Sequence, residues 1–119
     1  MQQLTRQFID NRWIDTAGRR RLPVTDPYRQ QQIAEITAGD AADVDAAVAA
    51  ARRALPGWQA LGGARRGEYL TAIADALTAR RRELMALSSR NNGKALAEAG
   101  IDLDDAIARF DAHRFEGVR

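Results

Sequence analysis

The sequence predicts an α/β fold in which a small antiparallel β layer at the N-terminus is followed by an antiparallel helical array. β-forming residues set among turn residues dominate residues 7–37. After residue 40, apolar residues recur at helical spacing, with glycine, proline and asparagine between the runs. The chain has 119 residues and no visible internal repeat. We therefore expect a single domain, with a β-rich start at residues 1–39 and helices at residues 40–119.

A hairpin is the clearest feature of the β-rich start. Asp10-Asn11 separates two short β-like runs that contain Phe8 and Trp13. This spacing predicts a two-residue turn, although both turn residues must then adopt a positive φ. The resulting sheet is too thin to be stable alone and must pack on another element.

Asp40 is predicted to begin the first helix. Aspartate is a favourable N-cap, and Asp43 adds negative charge beside the positive end of the helix dipole. A stripe of apolar residues follows at helical spacing, and Pro56-Gly57 is predicted to end the helix.

A second helical run is predicted to extend to about residue 90. Its middle is very polar, which predicts a bend or break near residues 78–81. Asn91 and Asn92 then lead to Gly93, which is predicted to cap the C-terminus in the left-handed conformation.

A final helix or helix pair is predicted over residues 95–115, interrupted near Gly100, with Asp102 as the cap of the second half. Asp104 and Asp105 complete an acidic cluster with Asp102. Helix capping and solvation account for this cluster without a catalytic role.

Few large side chains are available for the core, because only 6% of the residues are aromatic and alanine is abundant. The predicted core consists of Trp13, Ile33, Ile36, Leu55, Trp58, Leu70, Ile73, Leu77, Leu84, Leu87 and Phe110.

The charge pattern allows two interpretations. Arginines occur in pairs and triplets, which are typical of phosphate binding, and the formal net charge is +2. Acidic residues are spread throughout, however, and no aromatic residues alternate with the arginines to stack on bases. Solvated helix faces explain the pattern better than an Arg-rich nucleic-acid binder, which stays open as an alternative.

The sequence contains no cysteine, so disulfides, thiolate metal sites and thiol catalysis are excluded for this chain. The N-terminal residues lack the apolar run of a signal peptide, and no segment approaches the length of a membrane span. We expect a soluble, cytoplasmic protein.

No catalytic or cofactor-binding residue is predicted. Gly93-Lys94 lacks the preceding glycine and the following Ser or Thr of a phosphate-binding loop. His113 is the only histidine, and Glu116 is its only candidate partner for a metal ion. A surface histidine is the simpler interpretation.

Six short stretches occur in an order that resembles the N-terminal part of the NAD(P)-dependent aldehyde dehydrogenases. They are FIDNRW at residues 8–13, VTDP at 24–27, IAEI at 33–36, DVDAAV at 43–48, ALPGW at 54–58 and NGK at 92–94. The resemblance covers nearly the whole chain and implies an incomplete piece of that family's Rossmann-like cofactor domain.

The resemblance also implies what this chain lacks. Complete members are oligomers that oxidise aldehydes to acids with a catalytic cysteine and with NAD or NADP, and these elements lie further along than this chain reaches. We therefore expect a truncated, partial domain that is inactive alone, binds no cofactor and exposes apolar surface. That surface implies self-association or association with a full-length dehydrogenase subunit. The alternative is a non-catalytic protein-binding module.

One site of the family touches this region. Many members bind a monovalent cation through a backbone carbonyl and an acidic side chain, and the matching positions here are Thr25, with Val24 beside it, and Asn91. Asn91 replaces the carboxylate. An amide oxygen can still bind a hard cation, but it contributes less charge.

Overall fold

A computed structural model describes residues 2–16 and 18–111. The predicted order, a β layer followed by helices, is confirmed. The strands are β1 (Gln2–Leu4), β2 (Arg6–Ile9), β3 (Arg12–Asp15), β4 (Arg21–Asp26) and β5 (Gln31–Thr37), and the helices are α1 (Ala41–Ala60), α2 (Gly62–Ala79), α3 (Arg81–Asn92) and α4 (Leu96–Phe110). Within the described ranges, no helix has the length and apolarity needed to cross a membrane.

The chain forms two compact units, Met1–Gly57 and Trp58–Arg119. The first unit contains the strands and most of α1, and the second contains α2, α3 and α4. The two units are described separately below. The single partial domain expected from the sequence stays a prediction.

The predicted hairpin is present in the first unit. β2 and β3 pair antiparallel, with Phe8 opposite Trp13 and Ile9 opposite Arg12. The turn residues Asp10 and Asn11 have φ values of 55° and 59°. A positive φ at both positions matches the right-handed twist of the strands, so the turn itself sets the register.

The second sheet of this unit has the strand order β1-β5-β4. β4 and β5 are antiparallel, with an irregularity between Val24 and Thr25. β1 adds a short parallel pairing to β5, from Gln2 opposite Ala34 to Leu4 opposite Ile36. The β layer is therefore antiparallel, as predicted, except for this one added edge.

Buried hydroxyl groups connect the hairpin to the larger sheet. Thr16, only 5% exposed, donates its hydroxyl hydrogen bond to the Thr5 carbonyl at 2.5 Å. The Thr16 and Thr37 hydroxyl oxygens lie 2.8 Å apart, and Arg21 Nη1 donates to Thr37 at 2.9 Å. This network satisfies polar groups that would destabilise the fold if they were buried without partners.

Asp40 caps α1 as predicted. The Asp43 N–H donates to Asp40 Oδ1 at 3.0 Å, and the Asp40 N–H donates to Asp43 Oδ2 at 2.9 Å. Each aspartate therefore satisfies a backbone donor that the helix itself leaves free. Arg19 forms ion pairs with both carboxylates, which ties the strand layer to the start of the helix.

The predicted end of α1 at Pro56-Gly57 is wrong, because the helix continues to Ala60. Only about one turn follows Pro56. Pro56 removes one helical hydrogen bond and its ring crowds the carbonyl four residues earlier, but its fixed φ of about −65° is helical, so the last turn still forms.

The predicted break in the second helical run is confirmed. α2 ends at Ala79, Arg80 has φ −103° and ψ 13°, and α3 begins at Arg81. The predicted C-cap is also present. Gly93 has φ 79°, and its N–H donates to the Ser89 carbonyl at 2.8 Å.

The predicted interruption near Gly100 and the predicted cap at Asp102 are both wrong. α4 is continuous from Leu96 to Phe110, and Gly100 is buried inside it. A Cβ atom on Gly100 would lie 3.1 Å from Cε of Met85 and 3.2 Å from Nη2 of Arg81. The glycine lets α4 approach α3 closely and does not break the helix.

The core consists of small residues. Among the described residues, the buried apolar side chains are those of Ala50, Ala74 and Ala99, and no large side chain is fully buried. The predicted core residues are therefore less buried than expected, because the elements meet at alanine and glycine positions and the larger side chains lie at the margins.

Five of the predicted core residues are half-buried, namely Ile33, Ile36, Leu70, Leu77 and Leu84. The other six are exposed, namely Trp13, Leu55, Trp58, Ile73, Leu87 and Phe110.

Substitutions at two helical glycines test this packing. We expect Gly100→Val to lower the free energy of unfolding by about 1–3 kcal/mol, because the added atoms overlap Met85 and Arg81. Gly57→Ala is the matched control. Its Cβ would meet nothing within 4 Å, so helix propensity should raise the stability by up to about 1 kcal/mol.

Urea denaturation followed by circular dichroism measures both effects. Equal effects of the two substitutions would contradict a close approach at Gly100.

Candidate functional site

The predicted cation-site residues lie in different units. Thr25 is in β4, beside the irregularity at Val24, and belongs to the first unit. Asn91 is in the last turn of α3, in the second unit, and is exposed. Within residues 2–16 and 18–111, the Asn91 side chain makes no hydrogen bond, so its amide oxygen is available to a ligand. The cation site stays a prediction.

The described residues form no constellation suited to metal or acid–base chemistry. No group of three or more His, Asp or Glu side chains converges within the described part of the chain. His113 and Glu116, the only predicted candidates for a histidine metal site, lie outside the described residues.

The acidic cluster of α4 is occupied by ion pairs, each to a different cation. Asp104 pairs with Arg81, Asp102 with Lys94 and Asp105 with Arg109. The sequence predicted helix capping and solvation for this cluster; the structure shows ion pairs in their place, and Asp102 lies inside α4 and not at its start.

Ion pairing accounts for part of the arginine content. In the described segments, six arginines contact carboxylates, namely Arg19, Arg53, Arg65, Arg80, Arg81 and Arg109. A surface that binds nucleic acid needs free cations to replace the counterions of the phosphates. The pairing removes these six arginines from the cations that could replace phosphate counterions.

One ion pair joins two helices of the second unit. Arg81 of α3 donates from Nε and from Nη2 to the two carboxylate oxygens of Asp104 of α4, each at 2.7 Å. Arg81 Nη1 also lies 3.0 Å from Sδ of Met85. The hydrogen bonds from Arg81, with its positive charge, hold the pKa of Asp104 below its ordinary value of 3.8. This bidentate pair lies beside the Gly100 contact and orients α4 on α3.

An open depression of about 530 Å³ lies where α2 gives way to α3. Residues 78–83 line it, and the Arg80–Glu83 ion pair lies within this segment. The depression contains no nucleophile with an adjacent base, so it is not a candidate active site.

The most distinctive surface of the described chain is apolar. On the helices, Val44 and Val48 of α1 and Leu96 and Ile101 of α4 are exposed, and Ile101 is 68% exposed. On the hairpin, Phe8 and Trp13 are exposed as well. Each of these side chains leaves apolar surface in contact with water.

The hairpin surface is a feature that sequence reasoning missed. Arg6 lies over the ring of Trp13, with its guanidinium carbon 5.5 Å from the ring centroid. The alternation of residues along β2 and β3 was the available signal. It places Arg6 and Phe8 on one face, together with Trp13 and Asp15.

Comparison with protein families gives a clear relationship. The model of the aldehyde dehydrogenase family matches residues 13–116. Betaine aldehyde dehydrogenase from Beta vulgaris chloroplasts is 38% identical over 109 residues, which cover 87% of this chain and 22% of that protein. Peroxisomal aminoaldehyde dehydrogenase 2 from Pisum sativum is 42% identical over 113 residues, which cover 90% of this chain and 22% of that protein. The chain thus spans about a fifth of the length of these curated relatives.

Solved structures show the same relationship. Lactaldehyde dehydrogenase from Escherichia coli has a TM-score of 0.89 and 27% identity, covering 98% of this chain and 25% of that chain. Betaine aldehyde dehydrogenase from Staphylococcus aureus, solved in complex with NAD+, has a TM-score of 0.85 and 32% identity, covering 92% of this chain and 23% of that chain.

Acid tests the contact between α3 and α4. The pKa of Asp104 is lower in the folded state than in the unfolded state, so the pair stabilises the fold above a pH of about 4. This contribution is lost as the pH falls through the folded-state pKa. The free energy of unfolding of the wild-type chain should fall between neutral and acidic pH, in part because this pair is lost. We expect a smaller fall in Asp104→Asn, as measured by urea denaturation at each pH.

Glu83→Gln is the comparison variant. The hydrogen bonds from Arg80 also lower the pKa of Glu83, so this variant measures the pH dependence of a pair that spans three residues and does not join α3 to α4. An unchanged pH profile in Asp104→Asn would contradict a stabilising role for this contact.

Proposed function

The chain belongs to the aldehyde dehydrogenase family, and we propose that it serves as the N-terminal part of an enzyme that oxidises an aldehyde to a carboxylic acid with NAD or NADP. The names of the relatives support an aldehyde that carries an amino or ammonium group, since betaine and aminoaldehyde dehydrogenases recur among them. NAD+ in the structure of the Staphylococcus aureus relative supports a nicotinamide cofactor for the complete enzyme.

The role proposed for this chain is structural. The observation that carries it is the combination of exposed apolar helix faces with a sequence that contains no cysteine. Without a cysteine, the chain cannot form the thiohemiacetal on which the family's chemistry depends. The apolar faces suit helices that pack against the remainder of a dehydrogenase. By itself the chain is therefore inactive and binds neither NAD nor NADP.

A second proposal follows from the same apolar faces. The chain acts as a non-catalytic binding module, which associates with itself or with a full-length dehydrogenase subunit. Exposed Val44, Val48 and Ile101 support this role. A nucleic-acid partner is disfavoured, because no aromatic residues alternate with the arginines to stack on bases and six arginines already contact carboxylates.

The cellular location is proposed from the sequence only. A cytoplasmic location agrees with a chain that contains no cysteine. Several plant relatives are named as chloroplastic or peroxisomal enzymes. Fractionation of the host cell is therefore the direct test of the cytoplasmic location.

The monovalent cation site is likewise proposed from the resemblance. Asn91 would supply an amide oxygen as a ligand. That oxygen is neutral, which suits a singly charged ion better than a divalent one. We expect Asn91→Asp to make the thermal unfolding temperature rise more steeply with added KCl than in the wild-type chain. Choline chloride at the same ionic strength is the control. Equal responses to the two salts in both proteins would contradict the proposal.

The activity of the chain is the direct test of the proposed role. The purified chain, incubated with NAD+ or NADP+ and with betaine aldehyde or aminoaldehydes, should give no increase in absorbance from NADH or NADPH. Sustained turnover would contradict the proposal.

Sedimentation tests the binding-module proposal. The chain is mixed with full-length betaine aldehyde dehydrogenase from Staphylococcus aureus, and binding would make the chain sediment with the larger species.

A chimera tests the structural role positively. The chain replaces the matching segment of the Staphylococcus aureus enzyme, and the single polypeptide is assayed for NADH formation. We expect activity to be retained, and the same chimera with Gly100→Val to lose it because α4 no longer packs closely on α3. A folded, NAD+-binding chimera without activity would contradict the proposal.

A further inference from the structure

The outward face of the β2–β3 hairpin is an unusual surface for a short hairpin. Phe8 is 56% exposed and Trp13 is 62% exposed, although the two form a direct cross-strand pair. Their ring centroids lie 5.1 Å apart, with an angle of 57° between the ring planes. The two rings therefore form one continuous aromatic platform. Aromatic residues of this kind are enriched where proteins contact each other.

Opposite charges lie at one end of this platform. Arg6 is the cross-strand partner of Asp15, and both side chains are exposed. Arg6 is turned toward the ring of Trp13. Within the described residues the Asp15 carboxylate has no ion pair or hydrogen bond. The face thus displays one cation, one unpaired carboxylate and two aromatic rings, in two rows across the two strands.

This pattern is complementary to itself. Two such faces can stack about 10 Å apart around a two-fold axis that runs parallel to the strands. That axis places β2 of one copy over β3 of the other. Each Arg6 then faces the partner copy's carboxylate at position 15, and each Phe8 faces the partner copy's indole ring. Two ion pairs and two aromatic contacts form, and no like charges meet.

We propose that this hairpin face is an interface between two copies of the chain. The charge complementarity selects a second copy as the occupant, because the same four residues supply both halves of every contact. The interface is separate from the helix faces considered above and does not depend on the proposed enzymatic role. Because each copy contributes only four side chains, the dimer is weak and reversible, with a Kd on the order of 100 µM.

Sedimentation equilibrium of the full chain tests the interface through charge substitutions. Arg6→Asp leaves only carboxylates at this end of the face, and Asp15→Arg leaves only guanidinium groups. We expect each substitution to weaken self-association about tenfold or more, because like charges then meet across the two-fold axis. Arg12→Asp is the matched control. It changes the charge by the same amount on the opposite face of the hairpin, and should leave the association unchanged.

Mixing the two variants separates an interface from a simple loss of hairpin stability. Like charges placed across one hairpin also repel each other within that chain, and mixing cannot relieve this repulsion. A heterodimer, however, pairs the two carboxylates of the Arg6→Asp chain with the two guanidinium groups of the Asp15→Arg chain. We expect the equimolar mixture to associate as strongly as the wild-type chain.

Three results would overturn the proposal. The first is a wild-type chain that stays monomeric at concentrations on the order of 1 mM. The second is a mixture that associates no better than either variant alone. The third is an equal loss of association in Arg12→Asp, which would assign the effect to net charge or to another surface such as the helix faces.

Discussion

The shortage of buried apolar surface is the constraint on which the rest of this structure depends. The buried apolar side chains of the described residues are alanines, and large residues such as Trp13, Leu55 and Ile101 remain exposed. Alanine positions let the elements approach closely, but they remove little area from water. Stability therefore rests on local devices such as caps, turns and hydrogen-bond networks, and the large apolar side chains are left available to another surface.

The packing of α4 illustrates how these local devices operate. A glycine that would weaken an isolated helix allows α4 to approach α3, where Met85 and Arg81 occupy the space of the absent side chain. The bidentate contact from Arg81 to Asp104 then fixes the orientation of the pair. An exposed ion pair contributes little by itself, so its value lies in its geometry beside the close contact.

Exposed apolar and aromatic side chains are the most distinctive features of the described surface. Asp102, Asp104 and Asp105 are engaged in ion pairs, and within the described residues no three His, Asp or Glu side chains converge as a metal site requires. Membership of the aldehyde dehydrogenase family supplies a context in which apolar helix faces have a structural purpose. The hairpin face adds a different kind of surface, in which aromatic rings are combined with complementary charges.

The sequence by itself determined the features that depend on a few neighbouring residues. The positive φ values at Asp10 and Asn11, the cap at Asp40 and the break at Arg80 were all predictable, because short-range sterics and backbone hydrogen bonds decide them. The cation-site residues, in contrast, came only from the resemblance to a family. Tertiary structure decided whether Gly100 interrupts a helix or sits at a contact, and how deeply each apolar residue is buried. Those outcomes depend on which element packs against the residue, and the spacing of residues along one element does not indicate which element that is.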